Sequence, residues 1–168
     1  QGWFVLSGTD LRERNHLANA IANEVFRREP RTLCMTAEEM MGALREAVRF
    51  DRRPASRAAC WIPEEEAPPP APSAYDEVMA ALRTAPLLVL LDLDSVYPSP
   101  WALERIYLVL GRRYDCRLPT VVTYCREDQI DGRLLSRLQD RRLLFQGRAF
   151  SLPSGLRRAG RPSSAGSP

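Results

Sequence analysis

The sequence predicts an α/β fold, a three-layer arrangement of about five parallel strands with helices on both faces. Three observations carry this expectation. Short apolar runs alternate along the chain with amphipathic stretches at the helical period, the pattern of consecutive βαβ units. The run Pro86–Leu93 is apolar almost throughout, as a strand covered on both faces must be. The 168 residues, 45% hydrophobic and 27% charged, are also enough for one core without disulfide or metal staples.

Each element has its own signal. Trp3–Ser7 is an apolar run that stops at Gly8, a first strand and a turn. From Asn15 to Glu29, apolar residues recur at Leu17, Ala18, Ile21, Val25 and Phe26, and Pro30 ends the helix they predict. Arg31–Met35 reads as a second strand. Thr36 with Glu39 forms a capping-box pattern that opens a helix through Met40, Leu44 and Val48 to Phe50. Between residues 51 and 73 the pattern fails, and six prolines surround the acidic triplet Glu64–Glu66. This stretch is expected to be an insertion or loop of polyproline character. A helix starts near Ser73 and runs to about Thr84. Pro86–Leu93 is the third strand, and Ser99-Pro100 opens the next helix. Leu118–Tyr124 is the fourth strand, Asp131–Asp140 a helix, and Leu143–Leu152 the fifth strand. Residues 1–158 are therefore expected to form a single domain, with 159–168 a flexible tail.

Composition excludes several chemistries. All 24 basic side chains are arginine, so no Schiff-base lysine and no lysine-bearing phosphate loop is possible. Cys34, Cys60, Cys116 and Cys125 form no C-x-x-C pair, and His16 is the sole histidine. A zinc site, a disulfide framework and histidine-dependent hydrolysis are not expected; a reduced, cytoplasmic setting is. No apolar run approaches a membrane span. The net charge of +3 conceals an asymmetry, since residues 141–168 carry six arginines and no acid. The Arg141–Arg161 region could therefore contact single-stranded DNA through phosphate. Aromatic residues do not alternate with those arginines, however, as stacking platforms require. The chain opens on Gln1 and reads as trimmed.

In a parallel α/β sheet, ligands gather at the carboxyl ends of the strands, here the segments after Ser7, Leu93 and Tyr124. Those segments carry a resemblance. The stretch W-A-L-E-R-I-Y-L-V-L-G-R-R-Y-D-C-R-L-P-T-V-V-T, Trp101 to Thr123, resembles the AAA+ core of bacterial helicase loaders and transposition helpers, the DnaC, DnaI and IstB group. His16–Ala22 resembles the helix after that family's phosphate loop, and Ser136-Arg137-Leu138 its arginine-finger motif. The likeness covers residues 2–158 and implies an ATP-binding fold.

The chemistry-bearing positions depart from the family. Its G-x-x-G-x-G-K-[ST] loop falls on Gly8–Asn15: Leu11 and Glu13 stand at glycine positions, Arg14 at the lysine and Asn15 at the magnesium-binding hydroxyl. A phosphate nest needs glycine conformations, and a non-glycine residue forced to positive φ costs about 1–2 kcal/mol. Glu13 would also repel a triphosphate, by about 4 kcal/mol at ~4 Å and an effective dielectric of ~20. Aligned on the acidic strand-end motif, Leu91 replaces the magnesium-binding acid, and Asp92 takes the place of the water-polarising one. A one-residue slide to Asp92 and Asp94 would restore a carboxylate but reverse which face each side chain uses. Cys125 replaces a sensor asparagine, while Arg137 and Arg157 stand at finger and second-sensor positions.

The expected function is thus a helicase-loader-like AAA+ domain without ATP hydrolysis, an interaction or regulatory module in replication or mobile-element processes. Its partner would be a protein, a replicative helicase or an active AAA+ subunit. No cofactor and no metal are expected. The alternatives are a weak ATPase, with Arg14 on phosphate and Asp92 on magnesium or water, and a single-stranded DNA-binding subunit.

Overall fold

The computed structural model describes residues 2–52, 72–142, 144 and 150–152. Its strands are β1 (Trp3–Gly8), β2 (Leu33–Thr36), β3 (Leu88–Leu91), β4 (Thr120–Tyr124) and β5 (Phe150–Leu152). All pair in parallel, in the order β2-β3-β4-β1-β5. The helices are α1 (Leu11–Phe26), α2 (Ala37–Asp51), α3 (Ala74–Thr84), α4 (Pro100–Asp115) and α5 (Gly132–Leu138).

Alternation along the strands decides which helix covers which face. Val5, Leu88, Leu90 and Val122 point into a cluster with Met40 and Leu44 of α2, Met79 and Leu82 of α3, and Ile106 and Leu110 of α4. Their neighbours Leu6, Val89, Leu91 and Val121 point the other way, onto Ala18 and Ala22 of α1. The two small alanines let α1 approach the sheet closely. Three layers result.

Helix starts follow the sequence signals. Thr36 and Glu39 form the reciprocal capping box, Ser73 caps α3, and Ser99 caps α4 with Pro100 at its first position. The Pro-rich insertion is closed at its base. The Asp51 carboxylate accepts the Ala74 and Tyr75 N–H groups at 2.8 and 3.0 Å, so its two ends meet. Its interior, residues 53–71, lies outside the described residues, as do 143, 145–149 and the tail after Leu152. Within the described residues the fifth strand is only Phe150–Leu152, and Leu144 makes an isolated bridge to Trp3.

Some buried residues carry no apolar signal. Arg113 is fully buried and donates to Thr120 Oγ1 and to the carbonyls of Leu82, Ala85 and Pro119. It fastens the end of α3, α4 and the start of β4 together. Burial lowers its pKa to about 10.

Candidate functional site

β1 ends at Gly8, whose φ of 144° is open to glycine. Only Thr9 and Asp10 separate it from α1, which begins at Leu11 rather than at the expected Asn15. Asp10 is the reason. Its carboxylate accepts the N–H groups of Arg12 and Glu13 at 3.0 and 3.1 Å, an N-cap that satisfies donors a phosphate nest would expose. Leu11 and Glu13 are therefore helical, and the positive-φ strain expected of them does not arise. The signal was present as Asp10-x-x-Glu13, an acidic cap followed by an acid in the first turn. Glu13 Oε2 is buried there without a hydrogen-bond partner.

Arg14 turns inward from the first turn of α1 and is 2% exposed. Its guanidinium donates through Nη1 to the Gly8 carbonyl and through Nη2 to Asp92 Oδ1, at 2.9 Å for the latter. One planar group thus ties the end of β1 to the end of β3, a fork that a lysine could not supply. Asn15 Nδ2 donates to the other carboxylate oxygen, Asp92 Oδ2, at 2.8 Å. Thr123 Oγ1, near the end of β4, donates to Asn15 Oδ1 at 3.2 Å and accepts the Asp92 N–H at 2.9 Å. The network spans three neighbouring strands and leaves only the Arg14 Nε, among its side-chain donors, buried without a partner.

Asp92, not Leu91, faces the residues at the lysine and hydroxyl positions, while Leu91 packs beneath α1. The face-reversal objection fails because Asp92 has left the strand, at φ 52° and ψ 56°. Left-handed backbone at an aspartate is uncommon, and its three fixed partners hold it there. Asp94 instead accepts the Cys125 N–H at 3.1 Å and the Arg126 N–H at 2.9 Å, joining the loops after β3 and β4.

The remaining candidates lie apart from this network. Cys125 is half-buried at the end of β4. Arg137 stands over Tyr107, its guanidinium carbon 4.2 Å from the ring centroid and 5.3 Å from that of Tyr114. Its guanidinium fits because Gly111 has no side chain: a Cβ there would sit 2.8 Å from Nη1. Arg157 lies outside the described residues. Among the described residues, no three His, Cys, Asp or Glu side chains gather as a metal site, and no helix is long and apolar enough to cross a membrane.

The fold has counterparts among solved structures. A replication initiator DnaA bound to AMPPCP and single-stranded DNA superposes with TM-score 0.65 at 15% identity, over 90% of this chain and 40% of that one. The chain shares its fold with that replication initiator. Domain III of the Thermotoga maritima replication initiation protein DnaA superposes at 0.62 with 16% identity, covering 89% and 53% of the two chains. The DnaC helicase loader superposes at 0.54 with 17% identity, covering 82% and 66%. The chain thus spans about 40% of the length of that DnaA chain bound to AMPPCP. No protein-family model and no curated protein matches the sequence.

Proposed function

We propose that this AAA+-fold domain works without ATP, as an interaction or regulatory module in DNA replication or mobile-element processes. The observation that carries the reading is the Arg14–Asp92 pair, closed by Asn15 and Thr123, behind a helix start already capped by Asp10. Nucleotide would have to displace one carboxylate from the helix N-terminus and break a buried ion pair. Glu13 adds a further negative charge in the same turn. The residues do not fit a magnesium triphosphate. The likeness to the DnaC loader and to DnaA supports a replication setting, with a replicative helicase or an active AAA+ subunit as protein partner.

The test is thermal unfolding with millimolar Mg-ATP or Mg-ADP. A ligand present at ~100 times its Kd stabilises the folded state by about 2.7 kcal/mol, several degrees for a domain of this size. No shift is expected. A reproducible rise of several degrees would replace this reading by the weak-ATPase one.

A second reading, contact with single-stranded DNA, gains one observation that linear order hides. Trp101 is flanked by the Arg45 and Arg105 guanidiniums at 5.5 and 5.7 Å, and Arg105 also stands 5.5 Å from the Tyr75 ring. The fold thus brings together aromatic rings and guanidiniums that are far apart in sequence, the rings half-buried against the core. Anisotropy titrations with an oligonucleotide over increasing salt, on the native chain and on Trp101→Ala, would decide it. Binding that is absent, or insensitive to salt, removes this reading.

A further inference from the structure

The two ends of the parallel sheet carry opposite charge. Its carboxyl end, where the strands lead into the site described above, holds Asp10, Glu13, Asp92, Asp94, Asp128 and Asp131. Its amino end holds arginines. Arg31 precedes β2 and stands beside Ala85 and Pro86. Arg83 is in the last turn of α3, Arg112 in the last turn of α4, and Arg117 in the turn from α4 into β4. Arg141 and Arg142 precede Leu144, which bridges to Trp3 at the start of β1. Arg113 binds the ends of α3 and α4 to the start of β4 through the Leu82, Ala85 and Pro119 carbonyls.

None of these six outer arginines, Arg31, Arg83, Arg112, Arg117, Arg141 and Arg142, makes an ion pair among the described residues. Five are exposed, and Arg83 is half-buried. Of the acids at this end, Glu24 is taken by Arg27 and Arg28, and Asp140 accepts the Tyr114 hydroxyl. Glu29 and Asp115 remain, so the surface is positive. Cations in the last turn of a helix offset its dipole, which accounts for Arg83 and Arg112. It does not account for the other four, which lie in turns outside the helices.

Arg117 departs furthest from what its backbone asks. α4 ends in a Schellman motif, with the Leu118 N–H donating to the Arg113 carbonyl at 2.9 Å and the Arg117 N–H to the Tyr114 carbonyl at 3.1 Å. The motif holds Arg117 at φ 52°, where glycine is the usual residue. A long exposed cation stands in its place.

These arginines follow the strand order from β2 through β4 to β1, three spacings or about 15 Å. Duplex DNA carries one phosphate charge per ~1.7 Å of its axis, so a row of this length meets several phosphates at once. A protein partner would call for an apolar centre, and Phe26 is the only large apolar side chain exposed at this end among the described residues. A single strand would call for stacking platforms, yet Tyr114 is half-buried with its hydroxyl on Asp140.

We propose that the amino end of the sheet is a docking surface for the phosphate backbone of duplex DNA, engaged by Arg31, Arg112, Arg117, Arg141 and Arg142. The choice of DNA among polyanions rests on the replication setting proposed above, while the contact itself involves no nucleotide site. It reads no base sequence, and its affinity falls steeply with salt.

Anisotropy titrations of the full chain with a labelled duplex of about 20 base pairs, at several salt concentrations, test this against two full-length variants. Arg117→Gly is expected to melt no lower than the native chain, because glycine suits that backbone. It should nevertheless bind the duplex ~10-fold more weakly at ~0.1 M salt, with the slope of log affinity against log salt reduced by about 1. Arg141→Gln/Arg142→Gln should reduce that slope by about 2. Native-like binding by both variants overturns the proposal. So does tighter binding of the single strand, or of poly-L-glutamate, at equal salt, which would assign the surface to single-stranded DNA or to an acidic protein. Absence of duplex binding by the native chain overturns it too, and leaves the nucleotide reading standing, since melting with Mg-ATP decides that one. Should Arg117→Gly melt lower, the Arg141→Gln/Arg142→Gln chain decides alone.

Discussion

Arg14 and Asp92, 78 positions apart, meet at 2.9 Å where the carboxyl ends of β1 and β3 come together. The arginine is almost completely buried and the aspartate only 20% exposed, so each is the other's main compensation for leaving water. The pair therefore serves as a structural clasp between β1 and β3.

Breaking the clasp on one side should be costly. Arg14→Met leaves Asp92 with only Asn15 for its charge, and Asp92→Asn leaves the guanidinium beside neutral partners. Each is expected to lose about 3–5 kcal/mol in urea unfolding. The double substitution should cost clearly less than the two losses added, because neither charge is then stranded. Additive losses would show that the two residues act independently.

Reversing the departures should reopen the site. In Leu11→Gly/Glu13→Gly/Arg14→Lys/Asn15→Ser the first turn of α1 loses two side chains and gains the family's lysine and hydroxyl. Each helical glycine costs about 1 kcal/mol relative to alanine, so the variant is expected to be less stable by roughly 2 kcal/mol or more. In return, Mg-ATP should raise its melting temperature where the native chain shows no response. A variant that folds but ignores nucleotide would mean that Asp10, still capping the helix, is sufficient to exclude phosphate.

Arg113 offers a test of buried polar packing. Arg113→Met fills similar volume but strands the Leu82 and Ala85 carbonyls, while Pro119 keeps only the Leu88 N–H at 3.3 Å. Unsatisfied buried acceptors cost about 1–3 kcal/mol each, less any relaxation, so a loss above ~3 kcal/mol is expected from denaturant midpoints.

Alkaline pH should act through Tyr124. Burial, and then the charge of Glu127, push its phenol up to about 12. Below pH 10 the group is neutral in both states and its contribution is complete. Above that value the unfolded chain ionises first, so stability falls as pH rises toward 12, by at most about 3 kcal/mol. Arg113 slopes the opposite way over this range, because its folded pKa is lowered. The measurement is therefore the difference between native and Tyr124→Phe chains, which should narrow between pH 10 and 12. A constant difference would contradict the raised phenol.

Gly111→Ala should nearly cancel. It removes a helical glycine, worth about 0.5–1 kcal/mol, but drives Arg137 off Tyr107, forfeiting a cation–π contact of about 0.5–1 kcal/mol. A net change below ~1 kcal/mol is expected, and a larger loss would mean the arginine cannot move aside.

The layers, the strand order's raw materials and most helix starts were legible because they depend on local patterns. The unbroken apolar run Leu88–Leu91 and the Thr36–Glu39 box need only near neighbours to declare themselves. The departures at Leu11, Glu13, Arg14 and Asn15 were legible too, since they are differences of residue type. Their consequences were not. A strained loop was the natural expectation from side-chain identities alone, yet Asp10 relieves the strain by starting the helix early. Asp92 illustrates the same limit, for its one-residue shift becomes permissible only once φ turns positive at the strand end. Arg113 and Arg137 gave no signal of burial or stacking, because hydropathy says nothing about carbonyls or rings brought up from elsewhere in the chain. The sequence alone determined which side chains are present and how each segment prefers to bend. Only the tertiary structure decided that Arg14 faces Asp92, because the parallel sheet places the ends of β1, β3 and β4 side by side, and a buried charge must take whatever partner that arrangement supplies.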